Sequence, residues 1–374
     1  MAGVYIHIPF CRQSCHYCNF HFSTNLKLKD QFVSSLIKEI DLRRFYLQEP
    51  ISTIYFGGGT PSILPSVQIE EIIFKIKSSF GVDEDAELTL EANPDDIHAD
   101  KLQEWKGIGI NRLSIGVQSF FEEDLKWMNR AHNAQQAKDC LTLVKSAGFD
   151  NFTIDLIYGT STLSDENWKK NVSIAIDLKV PHLSCYALTV EPKTALAKLI
   201  DKKILTDVNP ETQAHHFELL MDWMASAGYD HYEISNFAIP GFRSKHNSSY
   251  WQSKNYLGLG PSAHSFNGHS RQWNVSNNAL YIQSLQNNVV PFEEEILTTA
   301  QQMNEYLMTS LRTMEGISLG ILQNHFGETA VKQILQMAQS HIARNNLVED
   351  HAFLKTTTKG KLLADGIASD LFMV

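Results

Sequence analysis

The stretch Cys11-Arg-Gln-Ser-Cys15-His-Tyr-Cys18 decides the fold of this chain. It places three thiols in one short loop, directly after the apolar segment of residues 4–8. Crowded thiols are typical of a metal site in a reducing compartment, and the odd total of 5 cysteines argues against a disulfide framework. The other two cysteines are expected to fill the core, Cys140 in a helical stretch and Cys185 in an apolar strand.

Two kinds of metal site fit this loop. A structural zinc ion requires four protein ligands, and the fourth would have to be His7, His16, His21 or a distant residue. A four-iron cluster normally takes four thiolates, so three thiols would leave one iron open to a small ligand. The spacing is unlike the paired C-x-x-C knuckles of zinc sites. The cysteines by themselves leave both alternatives open.

Short β-type segments alternate with amphipathic helical segments over roughly the first 230 residues. The predicted strands are residues 4–8, 53–56, 87–91, 112–117, 152–157 and 182–188. Such alternation predicts an α/β fold with a parallel sheet and right-handed crossovers. Six units, where a closed barrel has eight, predict a partial (β/α) barrel.

The remaining chain divides into two further regions. Residues 236–291 are rich in Asn, Ser, Gly and aromatic residues, so the sequence predicts irregular structure after a barrel of residues 1–235. Residues 292–374 have the order of a winged-helix-like α+β domain. The predicted elements are helices over 302–314, 319–325 and 330–342, a hairpin over 347–357 and a last helix over 358–371. Because residues 295–374 hold more acidic than basic side chains, we expect this domain to pack and not to bind DNA.

Charge and hydropathy exclude several function classes. Lys and Arg total 32 against 42 Asp and Glu, a formal net charge of −10, which disfavours a nucleic acid partner. No apolar stretch approaches the roughly 20 residues of a membrane span. The apolar start lacks a basic leader, so no signal peptide is expected. These features predict a cytoplasmic protein.

Polar residues follow the predicted strands one after another. The first strand ends in the cysteine loop, the second in Gly57-Gly58-Gly59-Thr60-Pro61, the third at Glu91 and the fourth at Gln118. Arg130 follows shortly afterwards, and the fifth strand carries Asp155. A glycine triplet alone is usually a tight turn, and a terminal carboxylate is often a helix cap. Together they predict one site, because barrel sites lie at the carboxyl ends of the strands.

The cysteine spacing resembles that of the radical S-adenosylmethionine superfamily. The resemblance implies a [4Fe–4S] cluster on Cys11, Cys15 and Cys18, whose open iron binds the amino and carboxylate groups of S-adenosylmethionine. Such a cluster needs an electron donor. Within this resemblance, Glu91 is expected to pair with the ammonium, Arg130 with the carboxylate and Asp155 with a ribose hydroxyl. The glycine loop is expected to bring backbone N–H groups close to the methionine part.

Longer motifs narrow the resemblance. Residues 5–11, the glycine loop, Glu91-Ala-Asn-Pro94 and the stretch of residues 112–120 resemble the oxygen-independent coproporphyrinogen oxidases over nearly the whole chain. This resemblance implies S-adenosylmethionine contacts by the following residues. They are Tyr5, Tyr17, Gly58, Gly59, Thr60, Glu91, Gln118, Arg130, Asp155 and Ala187.

Two departures from those oxidases matter. Phe20 stands where they have a fourth cysteine, and Cys11 lies near the start of the chain, where they have a long preceding segment. Both features are also missing in the related haem chaperones called HemW, whose hallmark His-Asn-x-x-Tyr-Trp appears here. Its residues are His246, Asn247, Tyr250 and Trp251. The chain therefore resembles the HemW haem chaperones.

That resemblance implies binding of haem or a porphyrin, transfer to haem-accepting proteins and a peripheral association with a membrane. A neutral imidazole is a common axial ligand of haem iron, so His246 is the expected ligand and His264 its rival. Aromatic rings stack on porphyrin faces, and Arg243, Lys245 and Arg271 are candidate partners of the propionates. The alternative function is a coproporphyrinogen III oxidase. A radical enzyme modifying tRNA is disfavoured by the acidic balance.

Overall fold

The computed structural model describes residues 2–373. The strands are β1 Ala2–Ile8, β2 Ile51–Gly58, β3 Val82–Ala92, β4 Arg112–Gln118, β5 Phe152–Tyr158, β6 His182–Ala187, β7 Asp230–Glu233, β8 Asn236–Ala238, β9 Tyr256–Leu259, β10 His264–Phe266, β11 Ser270–Asn274, β12 Phe292–Ile296, β13 Ile317–Ser318, β14 Leu347–Asp350 and β15 Phe353–Thr356. The helices are α1 Lys29–Leu42, α2 Ser66–Ser79, α3 Ala99–Gly107, α4 Glu122–Trp127, α5 Ala134–Ser146, α6 Asp165–Asp177, α7 Ala195–Asp201, α8 Pro210–Ser226, α9 Lys245–Trp251, α10 Asn278–Gln286, α11 Thr299–Leu311, α12 Leu319–Ala343, α13 Thr358–Lys361 and α14 Ala364–Asp370. Short 3-10 turns lie at Leu26–Leu28, Pro61–Ile63 and Pro94–Asp96.

The first six strands are parallel neighbours in chain order, which confirms the predicted partial barrel. Helices follow these strands along the chain, and the strands are buried over most of their length because both faces of a parallel sheet are covered. In β1, for example, only Tyr5 is not fully buried. The helices contribute regular apolar stripes, such as Ile69, Ile72, Ile73 and Ile76 on α2.

The region of residues 236–291 differs from the expectation of irregular structure. It contains α9, α10 and four short strands, and β9 pairs in parallel with β1. Strands β10, β11 and β12 then extend the sheet outward in antiparallel order. Elements of three to five residues are too short for a side-chain period to be visible. Backbone pairing makes these segments strands, because β9 pairs with β1, β8 with β6 and β7, and β10 and β11 with each other.

The tail has its own core and confirms the predicted α+β order. Its buried residues include Leu307, Ile334 and Leu354, and β13, β15 and β14 form a separate antiparallel sheet. Gly327 has a φ of 86° inside α12, so the two helices predicted for this stretch meet at a kink. None of the helices within residues 2–373 is long and apolar enough to cross a lipid bilayer.

Candidate functional site

The cysteine loop is held in place by backbone hydrogen bonds to neighbouring elements. The N–H of Cys11 donates to the carbonyl of Ser23 at 3.1 Å, and the N–H of His16 donates to that of Met128 at 3.0 Å. The N–H of Leu196, in α7, donates to the carbonyl of His16 at 2.8 Å. The loop therefore lies fixed over the carboxyl ends of the parallel strands, with α4 and α7 against it.

Cys11, Cys15 and Cys18 are free thiols that line one cavity of about 490 Å³, called here the thiol cavity. Burial raises the pKa of Cys11 to about 11, so a metal must bind there to favour the thiolate. Within residues 2–373, no three His, Cys, Asp or Glu side chains stand in an assembled metal-ligand arrangement.

The histidines weighed as a fourth zinc ligand do not line the thiol cavity. His7 Nε2 lies 2.8 Å from the carbonyl oxygen of His21, and His16 Nδ1 lies 2.8 Å from that of Trp127. His21 Nε2 lies 2.7 Å from Asn278 Oδ1. Since these rings serve local hydrogen bonds, the cavity offers three thiols and no histidine. This donor set fits an open cluster better than closed tetrahedral zinc.

The thiol cavity also brings together nine of the ten residues predicted to contact S-adenosylmethionine. They are Tyr17, Gly58, Gly59, Thr60, Glu91, Gln118, Arg130, Asp155 and Ala187. Tyr5 is the exception. Its hydroxyl lies 3.2 Å from His7 Nδ1, and its ring stacks on Tyr55 at 6.1 Å. Tyr5 thus lies behind the cavity wall and not in it.

Glu91 is a half-buried carboxylate without a basic partner among residues 2–373. Its Oε1 accepts a hydrogen bond from the Tyr55 hydroxyl at 2.8 Å. Burial raises the pKa of Glu91 to about 7, and the hydrogen bonds from Tyr55 and the Gly58 N–H oppose this shift. A carboxylate in this environment gains most from a ligand that brings positive charge or N–H donors.

Arg130 connects the cysteine loop to the ends of two strands. Its Nη1 lies 3.3 Å from Cys15 Sγ, and its Nη2 donates to Asn93 Oδ1 at 2.6 Å and to the Gly116 carbonyl at 2.7 Å. Its Nε is buried without a partner in the described structure. This orphaned donor and the cationic charge suit a carboxylate ligand.

Asn93 is a site residue that the sequence analysis quoted within a motif but did not assign. Its Nδ2 donates to Thr60 Oγ1 at 3.2 Å, while its Oδ1 accepts from Arg130. The amide therefore holds the glycine loop and the guanidinium in one arrangement. Its position directly after β3, two residues beyond Glu91, was the available signal.

The glycine loop differs from expectation in where its backbone N–H groups point. Gly59 N donates to the carbonyl of Ile8 at 2.9 Å, and Thr60 N donates to that of Phe10 at 2.7 Å. Gly58 has a φ of 105°, and a Cβ on Gly59 would lie 2.7 Å from the Phe10 carbonyl oxygen. The glycines are needed because the loop packs directly on the end of β1. These amides consequently serve the fold and not a ligand.

Gln118 and Asp155 complete the cavity floor. Gln118 has a φ of 68°, an unusual conformation for a residue with a side chain, at an irregularity in the pairing of β4 with β5. Burial raises the pKa of Asp155 to about 7, although the charges of Arg130 and Arg112 oppose the shift. Phe20 lies at the rim of the cavity with 67% of its surface exposed.

The motif on α9 lies in a different part of the molecule. The ring of His246 is 1% exposed, and it stacks on Tyr55 at 4.8 Å. Its Nδ1 lies 2.8 Å from Thr53 Oγ1 and its Nε2 lies 2.9 Å from the Tyr250 hydroxyl. Both ring nitrogens of His246 are engaged in these hydrogen bonds, which does not favour its expected role as an axial ligand; that role stays a prediction.

The rest of that motif is also used in packing. The N–H of Asn247 donates to Ser244 Oγ at 3.2 Å, which caps α9. Tyr250 meets Tyr256 edge-to-face at 4.7 Å. The guanidinium of Arg312 lies 5.1 Å from the ring centre of Trp251. No two of the four side chains form an open aromatic platform.

Glu87 explains why α9 is held here. Its carboxylate accepts from the backbone N–H of Lys245 at 3.1 Å and from that of His246 at 3.0 Å, at the start of α9. Arg112, at the amino end of β4, lies 3.8 Å from the same carboxylate. Helix α9 therefore closes the end of the barrel opposite to the thiol cavity.

His264 is the accessible alternative imidazole. It is exposed at the start of β10, close to the carboxyl end of β9, and its ring lies 6.3 Å from that of Trp273. The three predicted propionate partners already have carboxylates beside them. Arg243 pairs with Asp230 and Glu315, Lys245 with Asp85, and Arg271 with Glu305.

Comparisons with known proteins indicate the same kind of site as the residues of the thiol cavity. The family model described as the Radical SAM superfamily matches residues 5–173. The heme chaperone HemW of Lactococcus lactis is 33% identical over 371 residues, covering 98% of this chain and 96% of the relative. The HemW of Bacillus subtilis is 32% identical, covering 98% of both chains. This chain belongs to the HemW family.

Other relatives of the HemW family extend the likeness. The Escherichia coli HemW is 38% identical over 270 residues, covering 70% of this chain and 69% of the relative. The solved structure of coproporphyrinogen III oxidase HemN from Escherichia coli has a TM-score of 0.86 and 23% identity. The matched region covers all of this chain and 90% of the HemN chain. At this identity the HemN likeness concerns the fold. Membership of the radical SAM superfamily implies a [4Fe–4S] cluster and S-adenosylmethionine, and the thiol cavity fits both.

Proposed function

We propose that this chain is a radical S-adenosylmethionine haem chaperone of the cytoplasm, which binds haem and transfers it to acceptor proteins. The observation that carries the proposal is the likeness, over 98% of the chain, to relatives named heme chaperone HemW. The five free cysteines agree with a reducing compartment.

We assign the cluster ligands to Cys11, Cys15 and Cys18. A cluster held there would supply one electron, received from an external donor, for reductive cleavage of the sulfonium bond of S-adenosylmethionine. Glu91 holds the amino group and Arg130 holds the carboxylate of that ligand. The support is the raised pKa of the Glu91 carboxylate, which lines the thiol cavity, and the orphaned Nε of Arg130. Asp155, on β5, is the acceptor for a ribose hydroxyl.

For the haem ligand we favour His264 over His246. The support is accessibility, because the ring of His264 is exposed beside Trp273 while His246 is enclosed with both nitrogens engaged. An axial bond through His246 would first require both hydrogen bonds and its stacking on Tyr55 to be broken. That rearrangement costs several kcal/mol before any iron–nitrogen bond forms.

A haem titration of anaerobically reconstituted protein tests this assignment. We expect one haem per chain and a changed absorption spectrum in His264→Ala. The control His351→Ala removes another exposed imidazole, on the tail hairpin, and should leave the spectrum unaltered. A spectrum changed in His246→Ala and unchanged in His264→Ala would reverse the choice of ligand. Absence of haem binding in every preparation would remove the chaperone proposal.

The alternative function is conversion of coproporphyrinogen III. Phe20 separates the two proposals, because a phenyl side chain at the rim of the thiol cavity cannot supply the fourth thiol of the oxidases. We expect no protoporphyrinogen IX from coproporphyrinogen III in a reduced assay supplied with S-adenosylmethionine. Product formed at a rate above that of Cys15→Ala would favour the oxidase.

A further inference from the structure

A second cavity, of about 410 Å³, lies between the barrel and the tail domain. We call it the lysine pocket, after Lys361 of α13. Its barrel side is formed by the ends of β5 and β6 and by α8, and its other side by Arg312 and the segment of residues 361–366. Ala187 lines both this pocket and the thiol cavity, so the two cavities lie on either side of the end of β6. Nothing in the proposed function uses it.

The lysine pocket has an aromatic wall. The rings of Tyr158 and Phe217 are parallel to within 5°, with centres 6.2 Å apart. Phe217 also meets His231 edge-to-face at 5.8 Å, and the His231 ring stacks on Phe237 at 4.1 Å. This packing fixes the wall, but each of the two rings is only 5% exposed. The open apolar surface beside the wall comes from Ile234 and Leu363, which also line the pocket. A flat or aliphatic ligand body can bind over this rigid backing with little ordering of side chains.

Lys361 is the uncompensated cation of the pocket. Its Nζ donates to His231 Nδ1 at 2.9 Å, and no carboxylate pairs with it within residues 2–373. His231 Nε2 lies 3.0 Å from the carbonyl oxygen of Ile234, which can only accept a hydrogen bond. Nε2 is therefore the protonated nitrogen and Nδ1 the acceptor. One ammonium hydrogen is used in this way, and the histidine orients the other two.

Arg312, the other cation of the pocket, is already neutralised. Its Nη2 pairs with Glu233 at 3.0 Å and its Nη1 with Asp365 at 2.8 Å. Asp365 is the sole carboxylate among the residues that line the pocket. Burial lowers the pKa of Lys361 to about 8, which still leaves the ammonium mostly charged at pH 7. The charge available to a ligand is therefore that of Lys361.

From this arrangement we infer that the lysine pocket binds a carboxylate carried on an apolar body. The carboxylate pairs with Lys361, and the body packs against Ile234 and Leu363 over the aromatic wall. Two sources have this chemistry, a propionate of a porphyrin and a free apolar carboxylate. The inference goes beyond haem chaperone function and does not depend on it, because the cavity, the aromatic wall and the unpaired ammonium carry it.

Calorimetry on the full chain with 2-naphthoate tests the site, with the neutral 2-naphthamide as the matched ligand. We expect the carboxylate to bind and the amide to bind far more weakly. Lys361→Gln should weaken binding about tenfold, the effect of one charge-assisted hydrogen bond. Lys361→Arg should retain most of the affinity. The control Lys359→Gln removes an exposed lysine from the same short helix and should leave the affinity unchanged.

Asp365→Asn gives a test that keeps the lysine in place. It removes the lining carboxylate and frees Arg312 Nη1, so 2-naphthoate should bind about threefold more tightly. This gain is measurable even if Lys361→Gln fails to fold. An unchanged or weaker affinity in Asp365→Asn overturns the inference. So does equal binding of the amide and the carboxylate, or the same loss in Lys359→Gln as in Lys361→Gln.

Iron-free protoporphyrin IX and its dimethyl ester distinguish the two sources. Displacement of 2-naphthoate by protoporphyrin IX but not by the ester, with dependence on Lys361, identifies a porphyrin propionate. Binding of 2-naphthoate that depends on Lys361, with no competition from protoporphyrin IX, identifies a free apolar carboxylate. Both results support a carboxylate site. Because these ligands lack iron, failure here leaves the haem titration and its axial ligand unaffected.

Discussion

The loop after β1 and helix α9 carry the two most distinctive motifs of the chain, and they lie at opposite ends of the barrel. The loop covers the carboxyl ends of the strands, where its thiols share a cavity with Glu91 and Arg130. Helix α9 packs at the amino ends, where His246 contacts Thr53 near the start of β2. Barrel chemistry is done at carboxyl ends, whereas the amino ends contribute stability. The comparison assigns chemistry to the loop and stability to the histidine of α9.

The largest expected effect is loss of the cluster. Cys15→Ala should bind almost no iron or sulfide after anaerobic reconstitution, where the unsubstituted protein binds about four of each, because two thiolates cannot hold the cluster. Chemical iron and sulfide analysis measures this. The matched control is Cys140→Ala, a buried cysteine of α5, which should retain full cluster content. Stoichiometric zinc in place of iron would show that the loop forms a structural zinc site and not a cluster site.

The second effect is on stability, at the opposite end of the barrel. His246→Ala should lower the free energy of unfolding by about 3 kcal/mol, because it empties a buried site and leaves two hydroxyls without partners. Urea unfolding of the metal-free protein measures the change. His264→Ala, at an exposed ring, should change the free energy of unfolding by less than about 0.5 kcal/mol. Equal changes in both variants would break the proposed division between the two ends.

This stability difference should depend on pH. Burial and the nearby Arg112 lower the pKa of His246 to about 3, so the folded ring stays neutral while the unfolded ring is protonated below pH 6.5. The unfolded state then binds more protons, and stability falls as pH decreases. We expect the difference between the unsubstituted protein and His246→Ala to shrink by about 1.4 kcal/mol per pH unit between pH 6 and pH 4.

A smaller effect concerns ligand affinity in the thiol cavity. Glu91→Gln should weaken S-adenosylmethionine binding by roughly ten- to a hundredfold, the loss of one charged hydrogen bond. Because burial raises the pKa of Glu91 to about 7, affinity should increase as pH rises from 6 to 7.5 in the unsubstituted protein. The increase should be smaller in the variant, in which Asp155, whose pKa is also about 7, still titrates. Perturbation of the reduced cluster's paramagnetic spectrum measures the binding. Glu349→Gln, on the exposed face of β14, serves as control. Identical pH profiles would show that Glu91 does not hold the ligand.

The smallest expected effect concerns DNA binding by the tail domain. The full chain should cause no sequence-selective retardation of DNA at low salt, the condition in which electrostatic binding is strongest. The reason is the acidic balance of residues 295–374. Sequence-selective retardation at sub-micromolar protein would give the winged-helix order a recognition role and contradict the expectation of packing.

The sequence predicted the barrel well because, in long and regular elements, the spacing of apolar residues shows which positions are buried. The six parallel strands lie within a few residues of their expected positions, since each is a short β-type segment that alternates with helical segments. Predicting the strands also located their carboxyl ends. The carboxylates and thiols of the thiol cavity could therefore be assigned to one site from the sequence. The strands of residues 236–291 escaped prediction because they are short and depend on pairing with other strands, as β9 does with β1 and β8 with β6.

What the sequence determined by itself was which side chains meet at the carboxyl ends, because parallel strands bring all those ends to one edge. Only the tertiary structure decided which groups are free to act. In the folded chain the backbone N–H groups of Gly59 and Thr60 donate to carbonyls at the end of β1, and His246 is enclosed between Thr53 and Tyr250. The tertiary structure also brought Lys361 of the tail to the aromatic wall of the barrel. Hydrogen-bond partners and burial arise from residues distant in the chain, so no local pattern records them.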